Sequence, residues 1–406
     1  MKHRVAITGL GIVSALGCDT ESVASALRSG ISGVVSDPER AALGFVSPLT
    51  ARIPEFTPQY PLSRKARKTM PDFAQWAHEA VMQAVTQSGI DPEDLRDERV
   101  GIIFGCDSSS LAAIEQTETL LEKKDTTALG SGLVFRAMTS CISMNLNVLL
   151  GTQGACWTVS AACASGAHAV GQAADLIMLG RQDRIICGGA QEINWQSMCS
   201  FDGLGAFSTR TAEPACASKP FDRDRDGLVP GGGGAAIMLE RYDLAKQRGA
   251  TILGEVVGYG FSSDGENISV PGKTGIGRAM RMALNAAGFT TADIGYICAH
   301  ATSTPIGDMM EAENILGLFG ERSVPVSSTK SMTGHELWMS GAAQVVYTTL
   351  MARNGFIAPN RNFETPDDVS ARLDVVAEAR STSFGAALCN SAGFGGTNAC
   401  LALSFD

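Results

Sequence analysis

One cysteine stands where a reactive thiol would be most useful. Cys163 follows a strand-like stretch that begins at Trp157, and it precedes a run of helix formers that ends at Gly180. A thiol at a helix start faces unpaired N–H groups and about half a positive charge, which favours the thiolate. The position predicts an accessible nucleophile of lowered pKa, and the alternative is a core cysteine, the commoner role for a cysteine among apolar neighbours.

Two of the five histidines lie where strands are predicted to end. His300 follows the strand-like residues 294–299, and His335 follows a turn that ends at Gly334. His168, one helical turn beyond Cys163, is interpreted as a core histidine. A cysteine hydrolase that uses Cys163 and His300 is one alternative, but no papain-like or caspase-like local signature surrounds the cysteine.

The elements that carry these residues occur twice. Three pairs of segments correspond in the same order: 80–104 with 279–298, 159–163 with 326–330, and 231–239 with 393–401. Strands alternate with helices in both copies, which is typical of an α/β fold. We therefore predict two similar halves, 1–250 and 251–406, whose equivalent turns converge on one site.

Composition argues against several classes of protein. The 406 residues are 45% apolar with a formal net charge of −10, and such a charge repels a phosphate backbone, so no nucleic-acid partner is predicted. No stretch approaches 18 uninterrupted apolar residues, so no membrane span is predicted. Eleven cysteines without a Cys-x-x-Cys pair predict neither a disulfide framework nor a structural zinc site, and they fit a reducing cytoplasm.

Two ligand motifs are incomplete. Residues 4–11 read as a strand and a glycine turn like a dinucleotide fingerprint, but Ser14 replaces the third glycine. Residues 222–227 resemble the opening of a calcium loop, but Gly233 stands where the bidentate glutamate belongs. No dinucleotide and no metal is therefore predicted.

Four spaced motifs together resemble the elongating β-ketoacyl-acyl-carrier-protein synthases of the thiolase superfamily. They are Ala161-Ala-Cys163-Ala-Ser, His300-Ala-Thr302-Ser-Thr304-Pro-x-Gly-Asp308, Lys330-x-Met-Thr-Gly-His335 and Gly393-Phe394-Gly395-Gly-Thr-Asn398. The resemblance covers nearly the whole chain. It implies a duplicated thiolase-like fold in five αβαβα layers and a homodimer. It also implies condensation of an acyl chain with malonyl carried on acyl carrier protein, with no cofactor beyond the carrier's phosphopantetheine.

The resemblance implies a role for each reactive group. Cys163 would hold the acyl chain as a thioester, and its backbone N–H would stabilise the oxyanion together with that of Phe394. Phe394 and Gly395 would form the oxyanion and acyl-gate segment. His300 and His335 would donate hydrogen bonds to the enolate that forms when malonyl loses carbon dioxide.

Further residues would bind and orient the substrates by the same resemblance. Lys330 would pair with Glu311 and orient the site, while Thr302 and Thr304 would hold the phosphopantetheine arm. The charge run 64–68 is usually a solvated helix face. The resemblance implies instead a docking surface for the acidic carrier, with three candidate contacts: Arg64, Lys65 and Lys68.

Departures from the family pattern affect volume rather than reactivity. Ala392 replaces a phenylalanine and Trp338 replaces a glycine, so both are predicted to contact substrate near the acyl and malonyl entrances. Variants of this kind look similar to ketosynthases of aryl-polyene and related pigment pathways, which elongate unsaturated chains. Two alternatives follow: a specialised ketosynthase that works with a chain-length-factor paralogue, and a non-catalytic partner subunit, which typically lacks the nucleophile.

Overall fold

A computed structural model describes residues 2–405 of the chain. The terminal residues of the two predicted halves, Met1 and Asp406, lie outside this range. The strands are β1 Val5–Val13, β2 Val34–Ser36, β3 Leu49–Ala51, β4 Val100–Gly105, β5 Cys156–Val159, β6 Arg184–Gln191, β7 Gly233–Arg241, β8 Gly254–Ser263, β9 Tyr296–Cys298, β10 Pro325–Ser327, β11 Phe356–Ile357, β12 Asp374–Val375, β13 Arg380–Ser381, β14 Ala386–Gly393 and β15 Thr397–Ser404. The helices are α1 Thr20–Ser29, α2 Pro38–Ala42, α3 Arg64–Arg67, α4 Asp72–Ser88, α5 Ser110–Lys123, α6 Leu133–Arg136, α7 Cys141–Leu150, α8 Ser165–Met178, α9 Trp195–Gly203, α10 Tyr242–Gln247, α11 Gly275–Ala287, α12 Pro305–Phe319, α13 Lys330–Thr333 and α14 Ser340–Asn354.

The main sheet repeats one topology twice. Its strand order is β12-β10-β9-β14-β15-β8-β1-β7-β6-β4-β5, and the two copies join at a short antiparallel contact between β1 and β8. From that contact outwards, each copy has two antiparallel pairings followed by two parallel ones, and the second copy adds a third parallel pairing between β10 and β12. The predicted duplication is confirmed, whereas the division into two units at residue 250 stays a prediction.

The five predicted layers are present. Helices α4 and α7 cover the outer face of the first half, and α11 with α12 covers the outer face of the second. Helices α8 and α14 lie between the two halves, where α8 contacts β4 and β6 on one side and β8 and β15 on the other. Because it is enclosed on all sides, α14 is buried from Ser340 to Met351 without a polar face.

The first strand corrects one prediction. Residues 9–11 do not form a turn, because β1 continues through them to Val13. The glycines serve close packing instead, since a Cβ at Gly9 or Gly11 would overlap the carbonyl oxygens of Ala84 or Ala80 in α4. The incomplete dinucleotide motif thus marks contact between a helix and a strand.

The strand before Cys163 is also different from its prediction. β5 is the edge strand of the first half, so Cys156 and Trp157 are exposed rather than buried. The helix after Cys163 ends at Met178, close to the predicted end, with Gly180 at φ +70°. β5 and α8 thus place Cys163 at a turn, as predicted.

The acidic loop at residues 222–227 has a structural role. The Asp222 carboxylate accepts hydrogen bonds from the backbone N–H groups of Asp224, Glu364 and Thr365, at 2.7 to 2.9 Å. Its oxygens are therefore occupied, and residues 2–405 contain no cluster of side chains that could hold a metal ion. Within the same range, every helix is too short or too polar to span a bilayer.

Candidate active site

Cys163 lies in a tight turn between β5 and α8. Ala162 has φ +46°, a left-handed conformation that costs energy for a residue with a Cβ. The Ser165 hydroxyl holds the turn, because it donates to the carbonyl oxygen of Ala162 (2.6 Å) and accepts from the N–H of Ala161 (2.8 Å). The thiol is therefore fixed in place where β5 ends.

A cavity of about 470 Å³ opens onto Cys163 and draws its walls from both halves of the chain. Eight of the residues predicted from sequence line it: Cys163, His300, Thr302, Thr304, Glu311, His335, Ala392 and Phe394. Lys330 and Trp338 lie close behind the wall, and the basic run 64–68 lies elsewhere on the surface. The predicted convergence of Cys163 with the two histidines is thus what the structure shows.

The two histidines lie edge to face, with ring centroids 5.2 Å apart. Burial, with the positive charge of Lys330, holds the pKa of each imidazole well below its usual value. Both rings are therefore neutral at neutral pH, and each carries one N–H. The Ser340 hydroxyl lies 3.1 Å from His335 Nδ1, and when this hydroxyl donates to Nδ1 the His335 proton is on Nε2.

Glu311 fixes the backbone that carries His300. Its carboxylate accepts the N–H groups of His300 (2.9 Å) and Ala301 (2.7 Å), and it also accepts the amide of Asn390 (2.9 Å). Three hydrogen bonds offset much of the cost of burying this charge. Asn390 was not predicted as a site residue, although an amide within the apolar strand β14 was a usable signal.

Lys330 does not form the predicted ion pair with Glu311. Among the described residues, its ammonium has no hydrogen-bond partner and no carboxylate oxygen within 4.0 Å. It lies instead among four groups whose negative charge would favour its cation: Cys298, Glu311, Glu336 and Cys163. Burial nevertheless outweighs them and lowers the pKa of Lys330. Lys330 therefore influences Cys163 and the two histidines through its charge rather than through a hydrogen bond.

The lowered thiol pKa predicted from the helix start is wrong for the resting site. Cys163 is only 5% exposed, and burial raises the pKa of its thiol to about 12. The Lys330 charge and the backbone N–H groups of Phe394 and Cys163 act in the opposite direction but do not outweigh burial. The resting nucleophile is a thiol, so its proton must leave as the sulfur attacks.

The segment after β14 supplies a backbone donor to the sulfur. The N–H of Phe394 points at Cys163, whereas the N–H of Gly395 is bonded to the carbonyl oxygen of Ile268 (2.7 Å). The oxyanion function predicted for this segment is therefore available to Phe394 and not to Gly395, whose φ of +75° shapes the turn.

A nucleophile, two neutral imidazoles and a backbone donor pair thus share one cavity. Two family models match the chain: the N-terminal domain of β-ketoacyl synthases over residues 2–245 and their C-terminal domain over residues 253–364. The chain belongs to the β-ketoacyl synthase family.

Relatives match along the full length. The chain is 37% identical over 404 residues to 3-oxoacyl-[acyl-carrier-protein] synthase 1 of Haemophilus influenzae, covering 98% of both chains. A β-ketoacyl synthase structure from Burkholderia phymatum STM815 superposes with a TM-score of 0.95 at 36% identity and full coverage of both chains. The ishigamide ketosynthase/chain length factor gives a TM-score of 0.92 at 30% identity, again over both full chains.

The threonines predicted to hold the phosphopantetheine arm lie on a strained turn. Their hydroxyls are 3.1 Å apart, and Ser303 between them has φ +73°. Asp308 holds this turn, because its buried carboxylate accepts the N–H of Ser303 (3.1 Å). Burial raises the pKa of Asp308 to about 7. Asp308 was present in the sequence motif, but only the structure shows this positioning contact.

Trp338 was predicted to lie near an entrance of the cavity, but the structure places it in the interior. Its side chain is 5% exposed, lies in the apolar cluster that includes Cys163, and donates its indole N–H to Ser108 Oγ (3.2 Å). The ring also packs against Phe201 at 6.3 Å between centroids. Ala392 does line the cavity, as predicted.

Glu336 is a buried acid that was not predicted as a site residue. Its Oε1 accepts the Tyr347 hydroxyl at 2.6 Å, and the residue is 1% exposed. Burial raises the pKa of this carboxyl to about 8, against the opposing effects of Tyr347 and Lys330. Glu336, which follows His335 in the sequence, is therefore a further buried acid with a raised pKa, besides Asp308.

The basic run forms the short helix α3 on the surface. Ser63 caps it by accepting the N–H of Ala66, at 3.2 Å, and all four of its cations are exposed: Arg64, Lys65, Arg67 and Lys68. Among the described residues, none of the four has a carboxylate partner within 4.0 Å. The run is free to meet an acidic surface.

Proposed function

We propose that this chain is a β-ketoacyl-acyl-carrier-protein synthase that lengthens an acyl chain by two carbons through decarboxylative condensation. The observation that carries the proposal is the single cavity in which one thiol meets two neutral imidazoles. A non-catalytic partner subunit would have no use for this set, and the relatives' names agree with an active synthase.

The first half-reaction loads Cys163. The sulfur attacks the thioester carbonyl of acyl carrier protein, and the backbone N–H groups of Cys163 and Phe394 stabilise the oxyanion. When this intermediate collapses, the bond between the carbonyl carbon and the pantetheine sulfur breaks. The proton lost by Cys163 ends on the released pantetheine thiol, so the step is balanced without another reactant.

The second half-reaction uses the histidines. Malonyl on the carrier loses carbon dioxide, and the electron pair of the broken bond forms an enolate. The N–H groups of His300 and His335 stabilise the enolate oxygen, a charge that is absent from the ground state. The enolate carbon then attacks the acyl carbonyl, the bond to Cys163 breaks, and the sulfur takes up a proton from solvent. Thr302 and Thr304 hold the arm during both half-reactions.

The acidic carrier docks on α3 through Arg64, Lys65 and Lys68 in this proposal. Their exposure and lack of carboxylate partners among the described residues support it. The carrier's phosphopantetheine arm then enters the cavity as part of the substrate, and no other cofactor takes part. The cytoplasmic location stays a prediction.

The edge strand β5 is the proposed dimer surface. Among residues 2–405 its backbone groups are unpaired on one side, Trp157 is 41% exposed, and Val148 on the neighbouring helix α7 is 80% exposed. An unpaired strand edge beside apolar side chains suits pairing with another chain. A second copy is the favoured partner, and a chain-length-factor paralogue is the alternative, which the ishigamide ketosynthase/chain length factor supports.

One experiment tests the activity. The protein is incubated with acyl carrier protein bearing an acyl group, intact mass spectrometry looks for the adduct on Cys163, and malonyl carrier is then added. We expect the adduct to form and then to be consumed with release of carbon dioxide. Absence of the adduct would contradict the proposal. An adduct released as free acid, without loss of carbon dioxide, would support a cysteine hydrolase.

A further inference from the structure

The two half-reactions require two directions of approach to the Cys163 sulfur. The cavity that contains His300 and His335 must admit the carrier's arm both times, first with the acyl group and then with malonyl. During the second visit the acyl tail is still attached to Cys163. The tail must therefore leave the sulfur away from the histidines.

The other side of the sulfur is apolar but filled. Cys163 belongs to a hydrophobic cluster with Met198, Leu337 and Trp338, against which Phe201 packs. Phe201 and Leu337 line the cavity on this side, whereas Trp338, which packs against Phe201, does not line it. An acyl tail that extends this way meets the indole ring.

Trp338 is held more firmly than its neighbour Phe201. The indole N–H is bonded to Ser108, and the backbone at Trp338 is packed so closely that a Cβ on Gly166 or Gly189 would lie 2.9 or 3.0 Å from its carbonyl oxygen. Leu337 adds strain with φ +43°, a conformation that persists only where the surroundings impose it. Phe201 is only partly buried, and its ring stacks on Phe394 at the cavity surface.

We infer that Trp338 is the end wall of the acyl site and restricts Cys163 to short acyl groups. The inference rests on the proposed function. An indole in place of the small residue usual in the family removes the volume that a longer tail would occupy. Phe201 can turn aside for a short tail, but the anchored indole stays in place.

The test compares butanoyl and dodecanoyl carriers. Initial rates of Cys163 acylation are measured by intact mass spectrometry for the wild type, Trp338→Leu and Ser108→Ala. We expect the wild type to take butanoyl about tenfold faster than dodecanoyl, or more, because each methylene that fails to fit costs about tenfold in selectivity. Trp338→Leu should bring the ratio close to one by raising the dodecanoyl rate. Ser108→Ala, which removes only the anchor of the ring, should move it part of the way.

The outcomes separate this inference from the proposed function. No acylation by either carrier would contradict the function itself. Acylation by both carriers at equal rates in the wild type, or an unchanged ratio in Trp338→Leu, would overturn the end wall while leaving the function intact. If Trp338→Leu melts well below the wild type, Trp338→Phe with an octanoyl carrier takes its place, and an octanoyl rate equal to that of the wild type would overturn the inference.

Discussion

The two halves of the chain present different chemistry at equivalent strand ends. After β5, the first half supplies the thiol of Cys163 and the apolar cluster behind it. After β9 and β10, the second half supplies His300, Lys330 and His335, with the buried acids around them. The repeated topology thus brings two sets of strand ends together. In the proposed function the side chains at those ends have different tasks: one half holds the acyl group and the other generates the carbanion.

Removing the thiol should distinguish the activities of the two halves most completely. In Cys163→Ala the acyl adduct cannot form, so we expect condensation to fall at least about a thousand-fold. Malonyl decarboxylation should persist, because the histidines do not depend on the thiol. The measurement is carbon dioxide release beside β-ketoacyl product. Loss of both activities in a variant with a wild-type melting curve would show that the halves do not act separately.

His335→Ala tests the division from the other side. We expect decarboxylation to fall about 10²- to 10³-fold, the usual loss for one donor to an oxyanion, whereas acylation of Cys163 should stay near the wild-type rate. Ser340→Ala is the matched control. It removes only the contact to Nδ1, so a smaller loss is expected. Equal losses of acylation and decarboxylation in His335→Ala would contradict the assignment.

Glu336→Gln tests whether this buried acid of the second half titrates near neutral pH. Because the folded-state pKa of this carboxyl is about 8 against an ordinary 4.5, the folded protein binds the extra proton between these values. Its contribution to stability is therefore full below about pH 4.5 and is lost as the pH rises through 8. The glutamine keeps an acceptor for Tyr347 but cannot titrate.

The melting temperature should therefore fall less steeply in Glu336→Gln than in the wild type between pH 6 and 9. Asp308, whose pKa is raised to about 7, adds a slope of the same sign. That slope is common to both proteins, so the difference between their curves isolates Glu336. Parallel curves would mean that Glu336 does not titrate in this range.

What the sequence predicted well depends on topology. Corresponding segments in the two halves placed Cys163, His300 and His335 at strand ends that must meet, and they do. The predictions that were wrong depend on which polar groups are hydrogen-bond partners in the folded chain. Glu311 accepts the N–H groups of His300 and Ala301, whereas the ammonium of Lys330 has no hydrogen-bond partner among the described residues.

The prediction of a lowered pKa for Cys163 was wrong for a related reason. The helix start and Lys330 do favour the thiolate, but the sequence does not show how completely other segments cover the sulfur. Trp338 was likewise recognised as a change in volume, while its location behind the cavity depends on a contact with Ser108, 230 positions away. Burial and partners that are distant in sequence are the features that residue patterns do not specify.

The smallest predicted effect concerns the surface on which the carrier would dock. Reversing two charges of α3, in Arg64→Glu with Lys65→Glu, should raise KM for acyl carrier protein about tenfold at low salt and leave kcat nearly unchanged, because the cations act on encounter rather than on chemistry. The difference should shrink as added salt screens the surface charges.

A matched control distinguishes a docking surface from overall charge. Arg353→Glu with Arg372→Glu makes the same change of net charge on exposed arginines outside α3. If α3 receives the carrier, the control should leave KM close to the wild-type value. An equal rise in both variants would mean that the carrier responds to the net charge of −10 as a whole, and the basic run would then be an ordinary solvated helix face.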